Sequence, residues 1–293
     1  MSESEQLEKR DHSFFSPSTG KGRLRQSVLE LYEQHKAEGL LPTNGRFLYY
    51  ELVAAGVVSK EKTGARNPSQ GVTDALIELR ERGYIPWEDI TDETRDVIEN
   101  YHRPTLKESV ESNIKYATIS LWHPEPPPLV LCESRSIRSA IEAVTTEYQV
   151  PLAATNGQCA GFLRTKVKNV LEPGQVVLYM GDLDFSGGHI EANNRRVLEE
   201  VTESVLAWER VAITDEQVDL YDLVRIPKED KRTGESYESV ETEALGQARI
   251  VSLLRGRLQE LMPDARRERV LERERKERKS LTRLLAGLKG KQR

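Results

Sequence analysis

The chain has 293 residues, 37% hydrophobic and 31% charged, with 19 Gly and 13 Pro. That length buries a sizeable core in about two ordinary domains, and the composition excludes collagenous, low-complexity and membrane-spanning classes, the last because no apolar run approaches the ~18 residues a bilayer helix needs. A net charge of −5 argues against a polycation that coats nucleic acid, yet the last 30 residues hold 12 Lys/Arg against 5 Asp/Glu, so a basic tail follows an acidic body.

Residues 1–21 are Ser-, Glu- and Lys-rich, apolar only at Phe14-Phe15, and read as a mobile arm. Leu24, Val28, Leu31 and Tyr32 then recur at helical spacing until Gly39 and Pro42, and Gly45 to Ala55 predicts a second short helix closed by Gly56. Asn67-Pro68-Ser69-Gln70 is a helix-start signature, with Asn as cap, Pro at the first helical position and Gln reaching back. The helix it opens presents Val72, Ala75, Leu76 and Leu79 on one face, and Tyr84 to Trp87 follows as an extended ribbon. Three short helices and a ribbon over 22–100 suggest a winged helix-turn-helix; the alternative is a helical bundle with a solvated loop. Lys60, Lys62 and Arg66 in that loop suit contacts to DNA phosphates.

Residues 101–128 read as a connector, ending in the stiff run His123 to Pro128. Beyond it strands alternate with helices: strands at Leu129–Cys132, Val150–Ala153, Val176–Met180 and Arg210–Ile213, helices at Ser136–Tyr148, Gly161–Leu171 and Gly188–Ala207. This order predicts an α/β domain with a Rossmann-like parallel sheet over 129–263. Two further helices, Val240–Leu261 and Asp264–Leu288, close the chain, the second (264–293) reading as a solvated, charge-paired tail. Two cysteines, Cys132 and Cys159, support neither a disulfide framework nor a four-ligand zinc site, and with the polar start they point to a reducing cytoplasm.

In such sheets, sites lie at the carboxyl ends of strands. Glu133 closes the first strand, and Asp182 and Asp184 close the third ahead of Gly187-Gly188. Three carboxylates together repel unless a hard cation neutralises them, and an all-oxygen set favours Mg²⁺ or Mn²⁺. The alternative is that each acid caps the helix behind it. His189 follows this segment closely enough to be an added candidate, whereas His102 and His123 are scattered. No P-loop or dinucleotide fingerprint is present.

A strand ending in Glu, then one ending in Asp-x-Asp with Gly three residues later, resembles the Toprim domain of topoisomerases, primases and certain nucleases. Arg46-Phe47-Leu48-Tyr49-Tyr50 is similar to the Arg-x-x-Tyr/Phe-Tyr motif in the winged-helix domain of the topoisomerase VI A subunit and its meiotic double-strand-break relatives. Glu241 to Leu245, with Glu243 inside it, resembles the Glu-x-x-Ala-Leu segment that follows the Toprim core there. The three matches come in family order from Leu24 to about Pro263, and the short chain is most like the compact mini-A homologues of mobile elements. Phe185 stands where the family usually has Pro, and Ser134 where it has a basic residue.

The resemblance implies that Tyr50 attacks double-stranded DNA to leave a phosphotyrosine, that Glu133, Asp182 and Asp184 hold the metal with Glu243 and Glu241 as additions, and that the protein is a nucleoid-associated homodimer with any ATPase in a separate subunit. Arg46, one helical turn from Tyr50, is placed to assist the phenol or grip the phosphate. Adjacent helical positions face different ways, so the motif makes Tyr49 the packing residue and Tyr50 the exposed one. Two alternatives remain: a hydrolytic Toprim nuclease with water as nucleophile, and an inactive DNA-binding protein.

Overall fold

Capping residues fix the start of the N-terminal helices in a computed structural model that describes residues 13–60, 67–91, 102–157, 159–229, 234 and 236–289. In α1 (Gly20–Ala37) the Thr19 hydroxyl accepts from the Gly22 amide at 3.0 Å. In α2 (Gly45–Ala54) the Asn44 side-chain oxygen accepts from the Arg46 and Phe47 amides, each at 3.0 Å. The expected Asn-Pro-Ser-Gln box does not close: Asn67 accepts from the Ser69 amide, Gln70 turns to Asp74 at 2.8 Å, and α3 (Gln70–Glu81) begins three residues later. Its face of Val72, Ala75, Leu76 and Leu79 is buried as the spacing predicts.

Tyr84 to Trp87 forms no strand; a 3-10 turn at Trp87–Asp89 and a lone parallel bridge between Thr43 and Ile90 stand where a ribbon was expected. Phe14, from the segment read as an arm, is buried and stacked on Tyr84 at 5.9 Å, with Arg25 and Arg82 over its ring at 4.2 and 4.1 Å. Residues 1–12 lie outside the described residues, as do Lys62 and Arg66.

After α4 (Leu106–Tyr116) comes the sheet: β1 (Leu129–Cys132), α5 (Arg135–Glu147), β2 (Leu152–Ala154), α6 (Ala160–Thr165), β3 (Val176–Met180), α7 (Phe185–Thr202) and β4 (Ala207–Ala212). The strands run parallel in the order β2-β1-β3-β4. The two inner strands are the most apolar runs of the sequence, as covering on both faces requires. Val130, Cys132, Leu178 and Met180 face one core cluster while Leu129, Leu131, Val177 and Tyr179 face the other, the period of two expected of strands. Phe47 of α2 is fully buried in the first cluster, so the N-terminal helices and the sheet share a core.

Helix α7 stops at Glu203, whose φ of 51° is left-handed, and Ala207 opens β4 instead of ending the helix. Val205, expected inward, is 75% exposed. Sequence reading missed α8 (Asp215–Leu220) and the hairpin of β5 (Ile226–Glu229) and β6 (Ser236–Ser239). The helix expected over 240–261 is broken: a 3-10 turn at Thr242–Leu245 and Gly246 at φ 75° precede α9 (Gln247–Leu261), and α10 (Asp264–Lys289) completes the chain. Among the described residues no helix is long and apolar enough to cross a membrane.

Candidate functional site

Glu133 and the Asp182-Asp184 pair leave neighbouring parallel strands at their carboxyl ends. The Glu133 amide donates to the Met180 carbonyl at 2.9 Å, and the Asp182 amide donates to the Glu133 carboxylate at 3.2 Å, so the two strand ends are stitched together. An antiparallel bridge, Leu183 to Val240, lays the segment before α9 against the same loop. Thr242 thereby donates to Asp182 from its amide at 2.8 Å and its hydroxyl at 2.9 Å. Asp184 caps α7, accepting from the Gly187 amide at 2.6 Å. A Cβ on Gly187 would stand 2.4 Å from the Asp182 carbonyl oxygen, which is the physical reason for glycine three residues after the second Asp.

Two residues that sequence reasoning missed hold this loop. Arg210 of β4 donates to the carbonyls of Gly181 (2.9 Å), Asp182 (3.3 Å) and Ile213 (3.0 Å), and its guanidinium pairs with Glu191 of α7 at 2.9 and 2.6 Å. An arginine on an edge strand reads as solvated, and nothing in its spacing points to a loop nearly thirty positions upstream.

Glu243 is 1% exposed and accepts from Ser134 at 2.9 Å, from Ser136 and from Arg46 Nε at 2.7 Å, while its second oxygen, Oε2, is buried with no hydrogen-bond partner. Arg46 also reaches Glu241 at 3.3 Å. Glu241 further pairs with Lys60 at 3.2 Å and Lys228 at 3.6 Å, and Lys228 with Asp184 at 3.3 Å. Helix α2 is thus joined to the carboxyl end of the sheet through its first turn.

Tyr50 lies on that helix, its ring 5.6 Å from the Arg46 guanidinium and 4.8 Å from the Lys60 ammonium. It is not the exposed member of the pair: Tyr49 and Tyr50 are 7% and 9% exposed. Both can be buried because α2 is enclosed on most sides, with Phe47, Leu48 and Leu52 buried as well. Burial, then Glu241, pushes the Tyr49 phenol up. His189 is exposed on the opening turn of α7, and Cys132 is core, burial raising its thiol.

The electrostatics are those of crowded carboxylates. Burial, then Asp182, pushes the Glu133 carboxyl up to about 7. Burial, then Glu243, raises Asp182. Burial would raise Asp184 too, but the Gly187 amide, Ser239 at 3.0 Å and Lys228 outweigh it and hold that carboxyl below its usual range. Burial, then the charge of Lys228, pushes Lys60 down to about 8.

A divalent cation fits the chemistry of this donor set: all-oxygen, with two acids raised by their neighbours and one buried carboxylate oxygen unpartnered. Among the described residues no three His, Cys, Asp or Glu side chains are gathered so as to hold one ion, because Arg46, Lys60 and Lys228 stand between the acids. Comparison with known proteins gives no match to a family model, a curated protein or a solved structure.

Proposed function

We propose that the chain is a metal-dependent DNA strand-cleaving enzyme of the topoisomerase VI A type, a winged helix-turn-helix followed by a Toprim domain, with Tyr50 as nucleophile. The observation that carries this reading is the Arg46 bridge. Arg46 lies almost two hundred positions from Glu241 and Glu243, yet it joins the helix of Tyr50 to the acids at the ends of β1 and β3.

Cleaving a phosphodiester needs an in-line nucleophile and cations to absorb developing charge. The Tyr50 hydroxyl attacks phosphorus, the bond to one deoxyribose oxygen breaks, that oxygen takes up a proton, and the strand end stays on the tyrosine, so that rejoining is the reverse step. Arg46 and Lys60, against the Tyr50 ring, hold the phosphate in line. Mg²⁺ or Mn²⁺ held by Glu133, Asp182 and Asp184 supplies charge neutralisation at the phosphate. Tyr50 must be uncovered for DNA to reach it, which fits a working unit of two copies on double-stranded DNA in the cytoplasm. ATP-driven strand passage would fall to a separate ATPase subunit.

The burial of Tyr50 favours a second reading, a Toprim nuclease in which water attacks. The test is supercoiled plasmid incubated with Mg²⁺ or Mn²⁺ and denatured in detergent. Wild type gives protein-linked nicks or breaks; Tyr50→Phe and Asp182→Ala abolish them, with DNA binding kept in Tyr50→Phe. Cleavage that survives Tyr50→Phe without an adduct and is lost in Asp182→Ala transfers the chemistry to water. A wild type that binds DNA and never cuts it refutes both in favour of a DNA-binding protein.

A further inference from the structure

Lys228 belongs to none of the motifs, yet it sits in the middle of the carboxylates. β5 pairs it opposite Tyr237, and its ammonium lies 3.3 Å from Asp184 Oδ2 and 3.6 Å from Glu241 Oε1. These two acids come from different segments, the loop after β3 and the turn before α9, so a single charge bridges them as a shared inorganic cation would. The side chain is 33% exposed, which leaves it a way out to solvent.

The surrounding charges do not cancel. Glu133, Asp182, Asp184, Glu241 and Glu243 face Arg46, Lys60 and Lys228, an excess of two formal negative charges. The excess falls where a buried oxygen, Glu243 Oε2, has no partner. One divalent ion balances it. Among the three basic groups, Arg46 is anchored to two acids and to the face of Tyr50, and Lys60 also lies on that ring; Lys228 is a compact charge on a flexible stem and is bonded only to the acids.

We propose that Lys228 is a tethered counter-ion that occupies the cation position between Asp184 and Glu241 and withdraws when a divalent ion enters, so that it sets the affinity of the site for metal. The inference rests on the metal-dependent reading above, and it adds a device: the hairpin of β5 and β6 is released as metal binds. Competition of this kind keeps the acids apart without metal and makes binding an exchange of one cation for another.

The test is Mn²⁺ titration of the full chain, followed by calorimetry, for wild type, Lys228→Gln, Lys228→Arg and Asp182→Ala, with circular dichroism to check that each is folded. Lys228→Gln is expected to bind Mn²⁺ about tenfold more tightly than wild type, a difference of about 1.4 kcal/mol. Without metal it should melt at a lower temperature, and Mn²⁺ should raise that temperature by more than in wild type. Lys228→Arg, which keeps a charge there, should bind no more tightly than wild type. Wild-type or weaker affinity in Lys228→Gln, with binding lost in Asp182→Ala, overturns the role of Lys228 and leaves the metal site standing. If neither wild type nor Lys228→Gln binds Mn²⁺ at millimolar concentration, the metal-dependent reading falls with it.

Discussion

Replacing Arg210 with Met tests whether the loop bearing Asp182 is held from β4. The change keeps an apolar stem beside Tyr179, whose ring lies 5.2 Å from the guanidinium, and removes the bonds to three carbonyls and to Glu191. Glu191 retains its bond from the Trp208 indole at 2.8 Å, but its charge is left unpaired at a side chain only 18% exposed. Breaking a buried pair costs about 3–5 kcal/mol, and charged hydrogen bonds are individually about 1.5–3 kcal/mol but do not add. With both side chains slightly wetted, the expected loss is about 3 kcal/mol. Urea unfolding followed by tryptophan fluorescence and far-ultraviolet circular dichroism measures it. Glu191→Gln, which can still accept from Trp208, should cost about half as much, and Arg210→Met with Glu191→Leu should cost less than the two single changes together, by about 1–3 kcal/mol. A loss below about 1 kcal/mol for Arg210→Met, or strict additivity, would refute the clamp.

A pH dependence follows from Glu133. Its folded-state carboxyl is raised to about 7, so the native protein holds that proton more tightly than the unfolded chain; the stabilisation is present below the ordinary carboxyl range and is lost as pH rises through about 7. Glu133→Gln has no such loss, and it should exceed wild type in stability at pH 8 by about 2 kcal/mol, less than the full shift implies because the side chain is partly exposed, with the gap closing near pH 4. Parallel stability-against-pH curves for the two proteins would sink the argument. Asn44 caps α2 and also donates to the Ser136 carbonyl at 3.2 Å and the Ser139 hydroxyl at 2.9 Å. Asn44→Ala should cost about 2 kcal/mol in thermal or urea unfolding, and Asn44→Asp, which keeps the cap and loses the donors, about half of that; equal losses would show that the donors contribute nothing.

The inner strands were legible because β1 and β3 are covered on both faces, which demands unbroken apolar runs and little else. Edges were not. Val197, Val201 and Val205 continue a helical repeat past Glu203, and the left-handed turn there has no glycine to announce it, so the start of β4 was hidden inside a helix pattern. Burial of both Tyr49 and Tyr50 escaped because the one-face rule assumes a helix wetted along one side, and α2 is enclosed. The acids at the strand ends were visible as a motif, but their counter-charges were not: Lys228 lies on a hairpin with alternating exposure, and Arg210 on an edge strand, where a basic side chain needs no special explanation. Lys60 was expected on a solvated loop and instead faces Glu241.

The joints between α1–α2 and α9 carry a consequence for how the molecule is made. Thr43 bonds to Gln247 at 2.6 Å across 204 positions, Gln247 also reaches the Leu40 carbonyl at 2.7 Å, and its amide donates to Glu51 at 3.0 Å. On a ribosome working at roughly 5–20 residues per second, the early helices wait some tens of seconds for these partners to emerge. Until then Phe47 has no sheet to enter and Arg46 has no acid to hold. The pairing of Arg46 with Glu243 therefore cannot form on a nascent chain that has not yet extended past residue 243; synthesis itself keeps the tyrosine helix and the carboxylates apart until the fold that positions them is nearly complete.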